Sequence, residues 1–178
     1  MSQIRLESVN VGQPVALDAG RPDKRTGICK RAVEGAVRVD RLGAEGDVVV
    51  DARHHGGPGQ ALYLYSLEDY AFWSAQGVAT GSGMFGENLT VSGIESADLC
   101  IGDRLVVGEV VLEVTSSRIP CATFASAWAI RGSSKNSAMR GVQGLIFGLS
   151  RWVISRRGRR SSCSRSPGTG FRWGNTSP

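Results

Sequence analysis

Leu105-Val106-Val107-Gly108-Glu109-Val110-Val111-Leu112-Glu113-Val114 is the stretch that decides the fold. Two β-branched runs flank a glycine followed by a polar residue, which suits a type II′ turn, so the stretch predicts an antiparallel hairpin. Side chains alternate across a strand, which turns Leu105 and Val107 inward beside Val110, Leu112 and Val114 and leaves Arg104 and Glu113 outside. Upstream, Ala36–Val39 (AVRV), Asp47–Val50 (DVVV) and Leu62–Tyr65 (LYLY) read as further strands, bounded by Gly35, Gly43, Gly46 and the glycine loop at 56–59. Ser66 opens an S-x-x-D capping box with Asp69 and predicts a helix from Ser66 to Gln76 that Gly77 ends. Downstream, Ala122 to Ile130 turns to Ala, Phe and Trp, a second helix with Pro120 near its first turn. The expectation is a mainly β fold, a β-barrel or closed sheet with one or two short helices.

At 178 residues, with 41% apolar and 21% charged residues, the composition is that of an ordinary globular domain with a real core. No apolar run approaches the roughly 20 residues that span a bilayer. Met1 to Gln13 has no apolar h-region, so a cytoplasmic chain without membrane attachment is expected. The net charge of +5 is unevenly placed: residues 1–140 hold 14 Lys and Arg against 16 Asp and Glu, whereas residues 141–178 hold 7 Arg and no acid. The basic character therefore belongs to the last stretch. Its Arg156–Arg165 run (RRGRRSSCSR) has no apolar period and buries too little to offset ordering entropy. This predicts a domain over 1–140 and an Arg/Ser/Gly-rich, largely disordered tail over 141–178. Such a tail could engage phosphates, but it lacks aromatics at regular spacing, which argues against a nucleic-acid partner.

Four cysteines without a CxxC pair argue against a disulfide framework or zinc knuckle and fit reduced thiols. Cys121 ends Ser116-Ser117-Arg118-Ile119-Pro120-Cys121, between a strand and a helix. The helix dipole and Arg118 both favour its thiolate, the form that binds soft metals or attacks electrophiles. A small buried apolar residue is the alternative there, and it is the preferred reading of Cys100. Cys29 reads as structural and Cys163 as incidental.

His54 and His55 stand between Arg53 and Gly56-Gly57-Pro58. Neighbours on an extended backbone face opposite ways, so the pair does not easily chelate one metal. One imidazole is expected in a site and the other to brace the loop, whose glycine turn offers backbone N–H groups to an anion. A tight turn with exposed histidines is the alternative. Lys30 and Arg31 form a cationic pair suited to a phosphate or to solvent. Glu87 and Asn88 are a loop polar pair with little meaning alone.

Six collinear stretches resemble the MOSC family, named for the C-terminal domain of molybdenum cofactor sulfurase, in its stand-alone bacterial YiiM-type branch. They are TGICKRAVEG at 26–35, RLGAEGD at 41–47, RHHGGPGQALYLY at 53–65, MFGENLTVSG at 84–93, DLCIGDRLVVG at 98–108 and SRIPC at 117–121. The resemblance implies a pyruvate-kinase-like β-barrel that binds a molybdenum-pterin cofactor. It assigns Cys121 as molybdenum ligand or persulfide carrier, and His54, His55 and Gly56 with Arg53 to the pocket. Lys30 and Arg31 match a stretch suited to the pterin phosphate, Glu87 and Asn88 the rim, and Arg118 accompanies the cysteine. The implied reaction is reduction of N-hydroxylated compounds, with a small-molecule substrate and electrons from a partner flavin or iron–sulfur protein. The chain has no Rossmann fingerprint and no cysteine cluster of its own. A carrier of cofactor or cysteine-bound sulfur, without turnover, is the other reading.

The chain departs from the family in two places. Gly59-Gln60 stand where the family has Asp-Lys, which removes a cation. The closing strand resembling G-R-T-G-W-Y-x-R-V and the small helical domain after it are not read in the tail. Its bias resembles GC-rich coding sequence in a wrong frame, so a frameshift near residues 140–148 that leaves the barrel short of a strand is expected.

Overall fold

The computed structural model describes residues 4–18, 21–107, 110–118, 121–130 and 147–152. Its centre is a seven-stranded sheet built from β1 (Arg5–Gly12), β4 (Lys30–Val33), β7 (Leu62–Ser66), β8 (Leu89–Ser92), β9 (Arg104–Val107), β10 (Val110–Ser117) and β11 (Phe147–Trp152), in the order β4-β1-β8-β7-β11-β10-β9. Two small hairpins, β2 (Val15–Asp18) with β3 (Arg21–Thr26) and β5 (Val39–Asp40) with β6 (Gly43–Ala44), lie outside it. The fold is mainly β, with two helices, α1 (Leu67–Ala75) and α2 (Ala122–Ile130), and one 3₁₀ turn at Ser96–Asp98. Among the described residues the hydrogen-bonded order ends at β4 and β9 and does not close into a ring.

The hairpin forms as the alternation requires. Leu105 pairs with Leu112 and Arg104 with Glu113. Leu105, Leu112 and Val114 are buried, Val106 is exposed, and Arg104 donates to Glu113 across the pair at 2.9 Å. α1 starts at its predicted cap: the Ser66 hydroxyl oxygen accepts from Asp69 N (3.1 Å) and the same hydroxyl donates to the Asp69 carboxylate (2.8 Å). Gly77, at φ +76°, turns the chain away after Gln76. β7 and β8 are paired in parallel, and α1 is part of the crossover such a pair needs.

β11 is a strand that the reading of the tail did not contain. It lies within the residues read as tail, yet it pairs antiparallel with β7 (Gly148 with Tyr63) and with β10 (Val114 with Leu149), inside the sheet. Residues 153–178, which hold the Arg156–Arg165 run, lie outside the described residues. Two upstream strand assignments also change. Of Ala36–Val39 only Val39 is in a strand, and Asp47–Val50 is in none. The reason at Asp47–Val50 is tertiary. Val48 N donates to Gly12 O (2.9 Å) and Asp47 is held by three partners, which overrides the β propensity of the valines. The approach is close: a Cβ on Gly27 would stand 1.9 Å from Val48 O, and one on Gly12 would stand 2.0 Å from Gly27 O. Only glycine lets these three backbones stack.

β7 divides the interior. Leu62 and Leu64 face an aliphatic cluster with Leu89, Val91, Leu105, Leu112 and Val114. Tyr63 and Tyr65 face the other way, into an aromatic cluster with Tyr70, Trp73, Phe85 and Phe124 from the two helices and the 83–87 turn.

Candidate functional site

A cavity of about 430 Å³ opens beside the aromatic cluster. Four groups of residues wall it: the turn from Arg25 to Lys30, the extended stretch from Asp47 to Asp51, the histidine loop with His54, His55 and Gly56, and Ser116, Ser117, Arg118 and Cys121. Tyr63, Gly86 and Asn88 complete it.

Cys121 is a free, half-buried thiol placed directly before α2. Its carbonyl accepts from Ala125 N (3.1 Å), so the residue caps the helix, at the end where backbone N–H groups lack intrahelical acceptors. It also touches the aromatic cluster. The thiol thus combines apolar packing on one side with a polar cavity on the other. Both histidines line that same cavity.

The histidine loop is fixed from below. The Asp51 carbonyl accepts from His55 N (3.1 Å), and Gly56 and Gly57 both take φ +79°, a left-handed pair that reverses the chain. The Thr115 hydroxyl donates to Gly59 O (3.1 Å) and ties the loop to the strand that leads to Cys121. His54 is exposed, with Nδ1 3.0 and 3.1 Å from the two Asp51 carboxylate oxygens. The hydrogen bond to His54 holds the Asp51 carboxyl below the usual range. His55 is half-buried, and burial, then the nearby Arg118 charge, pushes its imidazole pKa down. One imidazole was expected in the site and the other as a brace of the loop; both line the cavity, His55 the more enclosed and His54 held by Asp51.

On the floor, Lys30 forms a buried ion pair with Asp47. Asp47 also accepts from Gly12 N (2.7 Å) and Asn88 Nδ2 (2.8 Å), and Asn88 Oδ1 accepts from Tyr63 N (3.2 Å). Burial lowers the Lys30 pKa by more than Asp47 restores, and Arg118 adds to the lowering. The Arg118 guanidinium lies over the Tyr63 ring, 4.8 Å from its centre. The Tyr63 hydroxyl is buried without a hydrogen-bond partner among the described residues, and burial raises its pKa far enough to keep it a neutral donor. Arg25, Lys30 and Arg118 face only Asp47 and Asp51 across this wall, so the balance of these five side chains is net positive. Among the described residues neither Arg25 nor Arg118 makes an ion pair.

Residues 51–159 match the MOSC domain family. The chain belongs to the MOSC family. It is 35% identical over 141 residues to a protein named YflK from Bacillus subtilis (79% of this chain, 64% of that one). It is 33% identical over 117 residues to protein YiiM from Escherichia coli (64% and 51%) and 32% identical over 99 residues to a protein named reductase from Gibberella moniliformis (53% and 18%). The chain therefore spans less than two thirds of the length of these relatives. The crystal structure of YiiM from Geobacillus stearothermophilus superposes with TM-score 0.57 at 25% identity, covering 88% of this chain and 77% of that one. Together these place it with the YiiM-type stand-alone branch.

Of the residues assigned by resemblance, the MOSC cavity gathers Cys121, His54, His55, Lys30, Gly56, Asn88 and Arg118. Arg31, Arg53 and Glu87 stand off its wall. Arg31 follows Lys30 on β4, so the alternation that buries Lys30 turns Arg31 to solvent. Arg53 is exposed. Glu87 is fully buried behind the wall, where its carboxylate accepts from the Tyr70 hydroxyl, Gly83 N (2.5 Å), Phe85 N (3.0 Å) and the Thr90 hydroxyl (3.0 Å). It shapes the 83–87 turn. Asp47, Asp51 and Tyr63 were not anticipated. The D-x-x-H spacing from Asp51 to His54 is a turn signal that could have revealed Asp51. Cys29, read as structural, is a half-buried free thiol beside Lys30. Cys100 is disulfide-bonded, against the reduced state expected of it. Among the described residues no group of three or more His, Cys, Asp or Glu could hold a metal ion by itself.

Proposed function

We propose that the protein binds a molybdenum-pterin cofactor through Cys121 and acts as an oxidoreductase component that reduces N-hydroxylated compounds. One observation carries this reading: a soft thiol at a helix N-terminus shares a net-positive cavity with two imidazoles and an arginine that has no carboxylate partner among the described residues. The donor set fits such a group. A cofactor that brings its own metal and sulfur needs one protein thiolate rather than a cluster, and its anionic arm needs uncompensated cations and backbone N–H groups. Arg118 and the Gly56 turn are available for that arm. Lys30, neutralised by Asp47, orders the floor and contributes less free charge than the sequence suggested. Asn88 fixes the floor from the other side, and Arg31, Arg53 and Glu87 act from outside the wall.

When bound, the cofactor supplies the redox chemistry. The chain's own residues position it, keep the Cys121 sulfur beside it and hold protons at the imidazoles. Electrons come from a separate flavin or iron–sulfur protein, and the substrate is a small molecule. A cytoplasmic site of action fits this pairing, and no described helix is long and apolar enough to cross a membrane. The likeness to a protein named reductase supports turnover. The second reading, a carrier of the cofactor or of cysteine-bound sulfur, draws on the same thiol.

Molybdenum and pterin analysis of purified protein tests the proposal. Wild type is expected to carry both and Cys121→Ser to lose the metal with thermal stability unchanged. Full metal content in the serine variant overturns the ligand assignment. A reductase assay with a chemical electron donor then separates the two readings, because cofactor without turnover favours the carrier.

A further inference from the structure

The dyad at the cavity mouth carries a role that the cysteine and the cofactor do not explain. His54 Nδ1 stands within hydrogen-bond distance of both Asp51 oxygens, at 3.0 and 3.1 Å. An ionised carboxylate only accepts, so the ring nitrogen facing it must be the one that carries the hydrogen. The Asp51 carbonyl meanwhile accepts from His54 N (3.4 Å) and His55 N (3.1 Å), so the same residue also fixes the backbone that carries the ring. The other ring nitrogen, Nε2, is then left with its lone pair on an exposed imidazole that lines the cavity. Free histidine favours the opposite tautomer, so the arrangement is imposed by the fold.

We propose that Asp51 is a positioning residue that locks His54 in the Nδ1–H tautomer and so presents Nε2 to the cavity as its proton-exchanging atom. This rests on the functional reading above. Reduction of an N-hydroxyl group takes two electrons from the partner protein and two protons. The N–O bond breaks, nitrogen keeps one proton, and oxygen leaves as water with the other. His54, protonated at Nε2 from solvent, returns that proton to the departing oxygen and ends as the neutral Nδ1–H ring, while Asp51 stays ionised throughout.

Histidine ¹⁵N chemical shifts decide the matter, because the chain holds only two histidines and His54→Gln assigns their signals. The chain without cofactor or substrate is measured at alkaline pH, where imidazole is neutral. The expected result is an Nδ1–H tautomer at His54, a shift of its population toward Nε2–H in Asp51→Asn, and return of Nδ1–H in Asp51→Glu. In loaded enzyme the Asn variant should lose roughly ten-fold or more in kcat with KM unchanged, the scale of a misplaced acid–base group. A dominant Nε2–H tautomer in wild type, or one that Asp51→Asn leaves unmoved, overturns the proposal. The tautomer is read without molybdenum, so its failure is distinct from failure of the cofactor reading, which the Cys121→Ser metal analysis reports.

Discussion

The two faces of β7 hold different kinds of interior. On one side Leu62 and Leu64 meet aliphatic side chains from β8, β9 and β10, a region bounded mainly by strands. On the other, Tyr63 and Tyr65 meet rings from α1, α2 and the 83–87 turn, with Ile28, Met84 and Cys121 packed against them. The aliphatic side relies on area removed from water. The aromatic side adds directed contacts: Tyr65 stacks on Phe85 at 4.3 Å, Trp73 Nε1 donates to the Tyr65 hydroxyl at 2.6 Å, and Tyr70 donates to buried Glu87. A ring or a hydrogen bond has an orientation that a leucine lacks. The interior that carries Tyr63 and Cys121 to the candidate site is thus the one with the more directed contacts.

The largest effect should come from emptying one side at a time. Phe85→Ala removes a fully buried ring within 6.1 Å of Tyr65, Tyr70, Trp73 and Phe124. The expected cost is about 3–5 kcal/mol in denaturant unfolding. Leu64→Ala should cost about 2–5 kcal/mol, a comparable loss from the aliphatic side. The variants should separate in Cys121 reactivity toward a thiol reagent, faster in Phe85→Ala because its cluster backs the sulfur, and near wild type in Leu64→Ala. Equal acceleration in both would remove the distinction between the two interiors.

A smaller effect should appear in pH dependence. Burial raises the Glu87 carboxyl pKa, and hydrogen bonds from Tyr70, Gly83 and Thr90 oppose it. A carboxyl that binds its proton more tightly when folded contributes stability that is whole below the unfolded pKa and is lost as pH rises through the folded value. Wild type should therefore lose stability as pH climbs from the ordinary glutamate range toward the raised one. Glu87→Gln should lack that decline and start lower by about 1–3 kcal/mol, since an amide cannot accept from all four donors. Urea midpoints across pH measure both. A wild-type curve parallel to that of Glu87→Gln would mean that Glu87 keeps its unfolded pKa.

How much of this was legible follows from the range of each cause. The hairpin at Arg104–Ser117, α1 and α2 were readable because each is set locally, by alternation, by the Ser66–Asp69 cap, or by composition after Pro120. β1 was missed: Arg5–Gly12 carries charged or polar residues at half of its positions and slips register between Leu6 and Ser8, so its period is blurred. Asp47–Val50 misled because its conformation is dictated by Gly12, Lys30 and Asn88, all distant in sequence. β11 was missed for a similar reason: its place between β7 and β10 is set by distant partners, and the sequence that follows it is Arg- and Ser-rich. In the site, the types that announce chemistry, thiol and imidazole, were found. Their supports were not, because Asp47 and Tyr63 matter only through what the fold brings beside them.

The smallest effect tests the link between the two sides. Along β10, Val114 faces the aliphatic cluster, while the Thr115 hydroxyl reaches Gly59 O in the histidine loop. One strand thus anchors an interior with one residue and a loop with the next. Thr115→Val keeps the β-branched shape and deletes the hydroxyl, so the exposed bond lost should cost about 1 kcal/mol or less. Global unfolding should barely move, since Val114 stays in place. Hydrogen exchange should nonetheless quicken at His55 and Gln60, whose amides are bonded inside the loop to Asp51 O and Gly57 O, because local opening there no longer strains a tether to β10. Exchange that quickens equally at Leu112 and Val114 would show that the loop and the aliphatic interior open as one unit, and the separation of the two sides would not extend to the strand they share.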